Sequence, residues 1–129
     1  MKRISIHTAH RTHFVEISAD VEAAAKELKV HEGWVTVFVP HTTAGITINE
    51  HADPDVMRDM KVVLDRLIPW EGDYEHAEGN TAAHVKASMM GSSARVYVQG
   101  GRMQLGTWQG IFFCEFDGPR SRTVWVAAG

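Results

Sequence analysis

Two periodicities divide the chain. Residues 3–8 and 12–17 alternate apolar and polar side chains, the period of half-buried strands. Ala and Leu then recur at helical spacing over residues 21–30, with Asp20 ahead of them as the expected N-cap and Gly33 closing the unit. Residues 34–40 (W-V-T-V-F-V-P) are the clearest strand, rich in β-branched and aromatic residues. Residues 41–45 interrupt it, and residues 46–49 resume as a short strand. The period then returns to 3.6. Asp53 caps a helix with Pro54 at its first position, and Val56, Met60, Val63, Leu64 and Leu67 form its apolar stripe until Pro69 and Gly72 stop it. After a polar loop over residues 73–79, Asn80 is placed to cap a second helix over residues 81–90, ended by Gly91. The last third reads as a β meander: residues 95–99, the Gly100-Gly101 hairpin signal, residues 102–105, 106–116 and 122–127, with Gly118-Pro119 breaking the last pair. Strands, a helix, strands, two helices and a run of strands predict an α+β fold, not an alternating α/β one.

Composition narrows this picture. A length of 129 residues suits one domain spanning the whole chain, 1–129. No apolar run approaches the ~20 residues that cross a bilayer, and the first residues alternate at once, with no apolar signal segment. Cys114 is the single cysteine, so no intrachain disulfide can form. A cytoplasmic setting is the expectation, with no membrane partner. The formal charge is -3, and no Lys/Arg run of the kind that coats nucleic acid occurs. The excess lies in histidine, with eight residues.

The candidate chemistry gathers at four places. His41-Thr42-Thr43-Ala44-Gly45 ends the strongest strand, where an imidazole can ligate or move a proton and hydroxyls and amides can hold an oxyanion. The alternative is a turn whose threonines bond their own backbone. His76 and His84 are eight positions apart. His84 lies one turn beyond Asn80 on the same helix face, and His76 can fold over that face. With His41 they would make a three-nitrogen site with an open position, the pattern of catalytic zinc; separate polar contacts of a surface loop are the plainer reading. Gly106-Thr107-Trp108-Gln109-Gly110 offers a flat face and an amide, or simply a bulge with a core tryptophan. Glu115 and Asp117 share one face of an extended chain, as do Arg120 and Arg122. These read as phosphate-matching charges or as the solvated edge of a sheet.

Taken in order, H-T-T-A-G-I-T-I-N-E-x-x-D-P-D-V, Y-E-H-x-E-G-N-T-A-A-H-V-K-A-S-x-x-G-S-S and L-G-T-W-Q-G-I-F-F-C-E-F-D-G-P-R-x-R resemble the YjbQ/UPF0047 family over nearly the whole chain. The resemblance implies a small bifurcated β-sandwich that assembles as a homotrimer. For some members it implies a secondary thiamine-phosphate synthase activity, which joins a pyrimidine pyrophosphate to a thiazole phosphate and releases pyrophosphate. Carried over by position, the family pattern marks His41, Thr42, Thr43, Glu50, Asp55, His76, Gly79, Asn80, His84, Gly106, Thr107, Trp108, Gln109, Glu115 and Arg120. His51 stands where the family usually has asparagine. The expected site therefore has His41, His76 and His84 as acid–base groups or as ligands of a divalent metal, zinc in preference to magnesium. Glu115 and Asp55 would tune them, and Thr42, Thr43, Asn80, Thr107, Trp108, Gln109 and Arg120 would hold a small phosphorylated metabolite. A non-catalytic trimer binding a metal or phosphometabolite is the alternative.

Overall fold

Residues 111–116 form an apolar run broken only by Glu115. The computed structural model, which describes residues 1–129, sets that run between two cores. In chain order the elements are β1 (Lys2–His7), β2 (His13–Glu16), α1 (Ser18–Glu27), β3 (Glu32–Phe38), β4 (Ala44–Glu50), α2 (Pro54–Leu67), α3 (Thr81–Met90), β5 (Ser93–Gln99), β6 (Arg102–Met103), β7 (Gln109–Glu115) and β8 (Ser121–Ala128). They build two antiparallel sheets, β1-β8-β3-β5-β6 and β2-β7-β4. The fold is α+β, as the element order predicts.

Strand alternation assigns the layers. Ile111 and Phe113 of β7 face the larger sheet, joining Val35 and Val37, Val96 and Val98, Val124 and Val126, and the Val21, Ala24 and Ala25 face of α1. Phe112, Cys114 and Phe116 point the other way, onto Met57 and Leu64 of α2 and Ala83 and Ala87 of α3. A strand covered on both faces has no reason to alternate, which is why this stretch reads as a continuous apolar run. The order of layers is five-stranded sheet, three-stranded sheet, then α2 and α3.

The helix boundaries repay comparison with the sequence. Asp53 accepts a hydrogen bond from Asp55 N at 2.9 Å, so the expected cap and proline start of α2 both hold. Helix α1 begins at Ser18, ahead of the expected residue 21, and Asp20 lies inside its first turn instead of capping it. The reason is tertiary: Ile17 N donates to Ile111 O, and Ser18 Oγ accepts from Ile111 N, so β7 fixes the chain where the helix starts. The strand expected over residues 106–116 begins only at Gln109, because Gly106 and Gln109 close a turn on each other. The strand expected over residues 102–105 shrinks to Arg102–Met103.

Candidate functional site

Glu115 is the next inward position of β7 after Ile111 and Phe113, and Arg122 is the inward position of β8 before Val124 and Val126. Both therefore enter the space between the sheets, at its end, where the apolar core stops. Glu115 is fully buried and Arg122 is 5% exposed. Arg122 Nε donates to Glu115 Oε1 at 2.8 Å, and a second guanidinium nitrogen reaches Oε2. That nitrogen also donates to Thr43 Oγ1 at 2.8 Å. Thr8 Oγ1 and Asp117 N complete the donors around the carboxylate. Burial pushes the Glu115 carboxyl upward, but Arg122, the Asp117 amide and Thr8 outweigh it and hold the group below its ordinary value. The exposed-edge reading fails for Glu115 and Arg122, since β7 and β8 are interior strands of their sheets; Asp117 and Arg120 lie in the turn between those strands, with Arg120 exposed.

Bonds from this ion pair to Thr43 and Asp117, and from Asn80 to Asp117, tie three segments around a polar cleft of ≈ 420 Å³, lined among others by His41, Thr42, His76, Asn80, His84 and Arg120. The first segment is the turn after β3. His41 Nε2 lies 3.0 Å from Thr123 N and 3.1 Å from Thr123 O, which leaves Nδ1 without a protein partner. Burial lowers the His41 pKa, as does the Arg122 guanidinium, so the ring is neutral at pH 7. In the tautomer that accepts from Thr123 N–H, Nδ1 is a donor; in the one that donates to Thr123 O, Nδ1 is a free base.

The second segment is the start of α3. Gly79 N donates to His76 O at 3.1 Å, and this turn folds the loop back over the helix. The His76 and His84 rings meet edge to face with centroids 5.3 Å apart. Close approach of α3 to β4 brings His84 to the same cleft as His41. A Cβ on Gly45 would stand 2.8 Å from Met90 Cβ and 2.9 Å from Gly91 O, so only glycine permits that contact. Asn80 occupies the N-cap position but does not cap with its side chain. Its Nδ2 donates to Asp117 Oδ2 at 2.9 Å instead, and its Oδ1 is buried with no partner.

The third segment is the β7–β8 turn. Arg120 donates to Asp117 O and, at 3.2 Å, to Asp117 Oδ2. Gly118 is pressed against the β1–β2 loop, where an added Cβ would sit 2.3 Å from His10 O.

The structure thus brings together His41, Thr42, Thr43, His76, Asn80, His84 and Arg120, with Glu115 behind them. It does not bring Asp55, Thr107, Trp108 or Gln109 to that cleft within one chain. Ala44 pairs with Glu115 at one end of the β4–β7 ladder and Glu50 with Gln109 at the other. Six steps of ~3.3 Å separate the two ends. At that far end Asp55 pairs with Arg58, Trp108 is 63% exposed, and His51 Nδ1 lies 3.1 Å from Glu16. Glu115 is committed to Arg122 and does not bond an imidazole. No three His, Cys, Asp or Glu side chains converge as a metal site requires, so the donors as placed do not form the expected three-imidazole ligation. Asp117, Arg122 and Thr8 carry roles that the expected set omits. The signal was available for one of them, Arg122: it is the in-phase basic residue before Val124 and Val126, as Glu115 is the in-phase acidic one after Ile111 and Phe113.

The chain matches, over residues 2–128, the family described as UPF0047 protein YjbQ-like. The UPF0047 protein YugU of Bacillus subtilis is 51% identical over 127 residues, covering 98% of this chain and 96% of that one. A UPF0047 protein of Methanocaldococcus jannaschii is 48% identical, covering 96% and 90%. Among solved structures, an uncharacterised yjbq/upf0047 family protein of Clostridium acetobutylicum superposes with a TM-score of 0.97 at 52% identity, covering 100% of both chains. No helix of the chain is long and apolar enough to cross a membrane.

Proposed function

Since the chain belongs to the UPF0047 (YjbQ-like) family, whose names describe no activity, we propose from its cleft that it binds a small phosphorylated metabolite there and acts on it by proton transfer and charge neutralisation. The reaction class we assign is the one the family resemblance implies: joining a pyrimidine pyrophosphate to a thiazole phosphate with release of pyrophosphate. The observation that carries the reading is His41. Its Nε2 is fixed by the Thr123 backbone, its ring is neutral, and its Nδ1 is unpartnered in the same cleft as the His76–His84 pair and Arg120. An imidazole oriented through one nitrogen and free at the other is the arrangement general acid–base groups use.

The fixed charges lining the cleft cancel, since Glu78 and Asp117 face Arg120 and Arg122, and Arg122 is itself paired with Glu115. Phosphoryl oxygens are therefore held by directed N–H donors, namely the imidazoles and the Arg120 guanidinium, which would also meet charge developing on departing pyrophosphate. Asn80 Oδ1, buried and unpaired, suits an N–H or O–H of the ligand's non-phosphate part. An unpaired buried acceptor costs about 1–3 kcal/mol, so a ligand donor there is recovered as affinity.

Thiamine-phosphate formation, assayed with purified wild type, His41→Ala and His76→Ala, tests the reading. We expect His41→Ala to lower turnover by about a hundredfold or more and His76→Ala to weaken substrate binding. A rate untouched by both substitutions assigns the activity to contamination or incidental chemistry. The second reading is a binder that holds its ligand without turning it over. Elemental analysis of wild type and His84→Ala addresses the metal expectation, which unchanged metal content in the variant would remove.

A further inference from the structure

We propose a second ligand site, an oxyanion pocket for a phosphoryl group, in the cleft where the β1–β2 loop meets α2 and α3. It is separate from the histidine cleft and does not rest on the function assigned there. This cleft is larger, ≈ 570 Å³, and Arg11, Lys61, Lys86, Asp65 and Trp70 line it together with His10.

Lys86 is the main observation. It is 3% exposed, a rare state for lysine, and its ammonium has one protein acceptor, Asp65 Oδ1 at 2.6 Å. An ammonium carries three donors, so two N–H bonds at the buried end of this cleft are left for something else. The other Asp65 oxygen accepts from Lys61 at 3.1 Å. Burial pushes the Asp65 carboxyl upward, but hydrogen bonds from Lys86 and Lys61 win and keep it below its ordinary value, so it counts as one full negative charge. Three cations, Arg11, Lys61 and Lys86, thus face a single carboxylate, leaving two positive charges. A phosphate monoester carries about -1.5 to -2 at neutral pH.

Arg11 adds geometry. Its guanidinium lies 4.1 Å over the centre of the Trp70 ring. Stacking fixes the plane of the fork and leaves its N–H edges free, the orientation that matches phosphate oxygens in pairs. The backbone beneath it is held as well: Arg11 O accepts from Gly118 N at 3.0 Å. A fixed arginine, a lysine short of acceptors and a second lysine on a rigid helix form a built pocket, unlike a scatter of surface charge. The bland role, Lys86 tying α3 to α2 through Asp65, uses one of its three donors and neither Arg11 nor Lys61.

Titration calorimetry with inorganic phosphate in low-salt, phosphate-free buffer tests the pocket, using wild type, Arg11→Ala, Lys61→Ala and Arg120→Ala. Arg11 and Lys61 are exposed, so these variants should fold, and circular dichroism checks that they do. We expect Arg11→Ala and Lys61→Ala each to weaken one phosphate-binding event by about tenfold, the loss of one charge-assisted contact, while Arg120→Ala leaves that event unchanged. Phosphate affinity unaltered in both variants overturns the proposal, as does an absence of phosphate binding to wild type at millimolar concentration. Loss of the event in Arg120→Ala alone would assign the bound phosphate to the histidine cleft and likewise overturn it.

Discussion

Glu115 and Arg122 are the residues on which the site's geometry depends. Both are at least 95% buried, and removing one partner of such a pair strands the other charge, at a cost of about 3–5 kcal/mol. We expect Arg122→Met to lose that much stability in urea titration, and a loss below about 1 kcal/mol would contradict the account. The same pair has a pH signature. The folded Glu115 carboxyl titrates below its ordinary value of 4.5, so the stability it contributes is complete above that pH and disappears as pH falls through the folded value. Cys114 is the contrasting residue: burial alone raises its thiol to about 12, so native protein should resist thiol reagents at pH 8 and react only once unfolded. His41, Thr43, His76 and Arg120 were legible because each sits at an interruption of a clear period, and His84 because it lies one helical turn beyond Asn80. The partnership of Glu115 with Arg122 was harder to see. Read as neighbours along one strand they look like surface charges; only the pairing of two sheets turns them inward.

At the scale of elements, turns decide what the strands present. The β7–β8 turn carries Asp117 and Arg120, and its Gly118 leaves no room for a side chain beside His10 O. Gly118→Ala should therefore cost about 1–3 kcal/mol or more through forced backbone movement. It should also weaken ligand binding at the histidine cleft, because Asp117 holds Asn80 as well as Arg120. Wild-type melting and wild-type ligand affinity in this variant would refute the claim. Helix α2 was legible because Asp53 and Pro54 specify its start locally. The start of α1 was not, because β7, some ninety residues later in sequence, sets it through Ile111. The basic cleft was invisible for the same reason: Arg11, Lys61 and Lys86 are isolated in sequence, and only the packing of the β1–β2 loop against α2 and α3 gathers them. The turn at residues 106–109 broke a run that alternation alone read as one strand.

For the whole molecule, the shifted histidines and carboxylates act in one direction. His13 and His41 are held below their ordinary value of 6.5 chiefly by burial, so the unfolded chain takes up their protons first as pH falls. Stability contributed by their neutral forms is complete above about pH 6.5 and declines below it, and Asp65 and Glu115 add their losses at lower pH. The melting temperature should therefore fall steadily on acidification from pH 7, and a melting temperature that rises between pH 7 and 5 would refute this. Assembly belongs to the same scale. The outer face of the larger sheet exposes Trp34 and Phe38, and light scattering at three chain masses is the result that the homotrimer implied by the family resemblance predicts. The double coverage of β7 has a further consequence in exchange with heavy water. Its ladder is paired on both sides, with β2 and β4, so its amides should open only when the entire protein unfolds. The amides of residues 73–79, tethered chiefly by Tyr74 to Pro69 and by Gly79 to His76, should exchange through small local fluctuations. The histidine cleft lies on the seam between the slowest- and fastest-exchanging backbone, so one wall can move to admit a ligand while the other keeps the geometry.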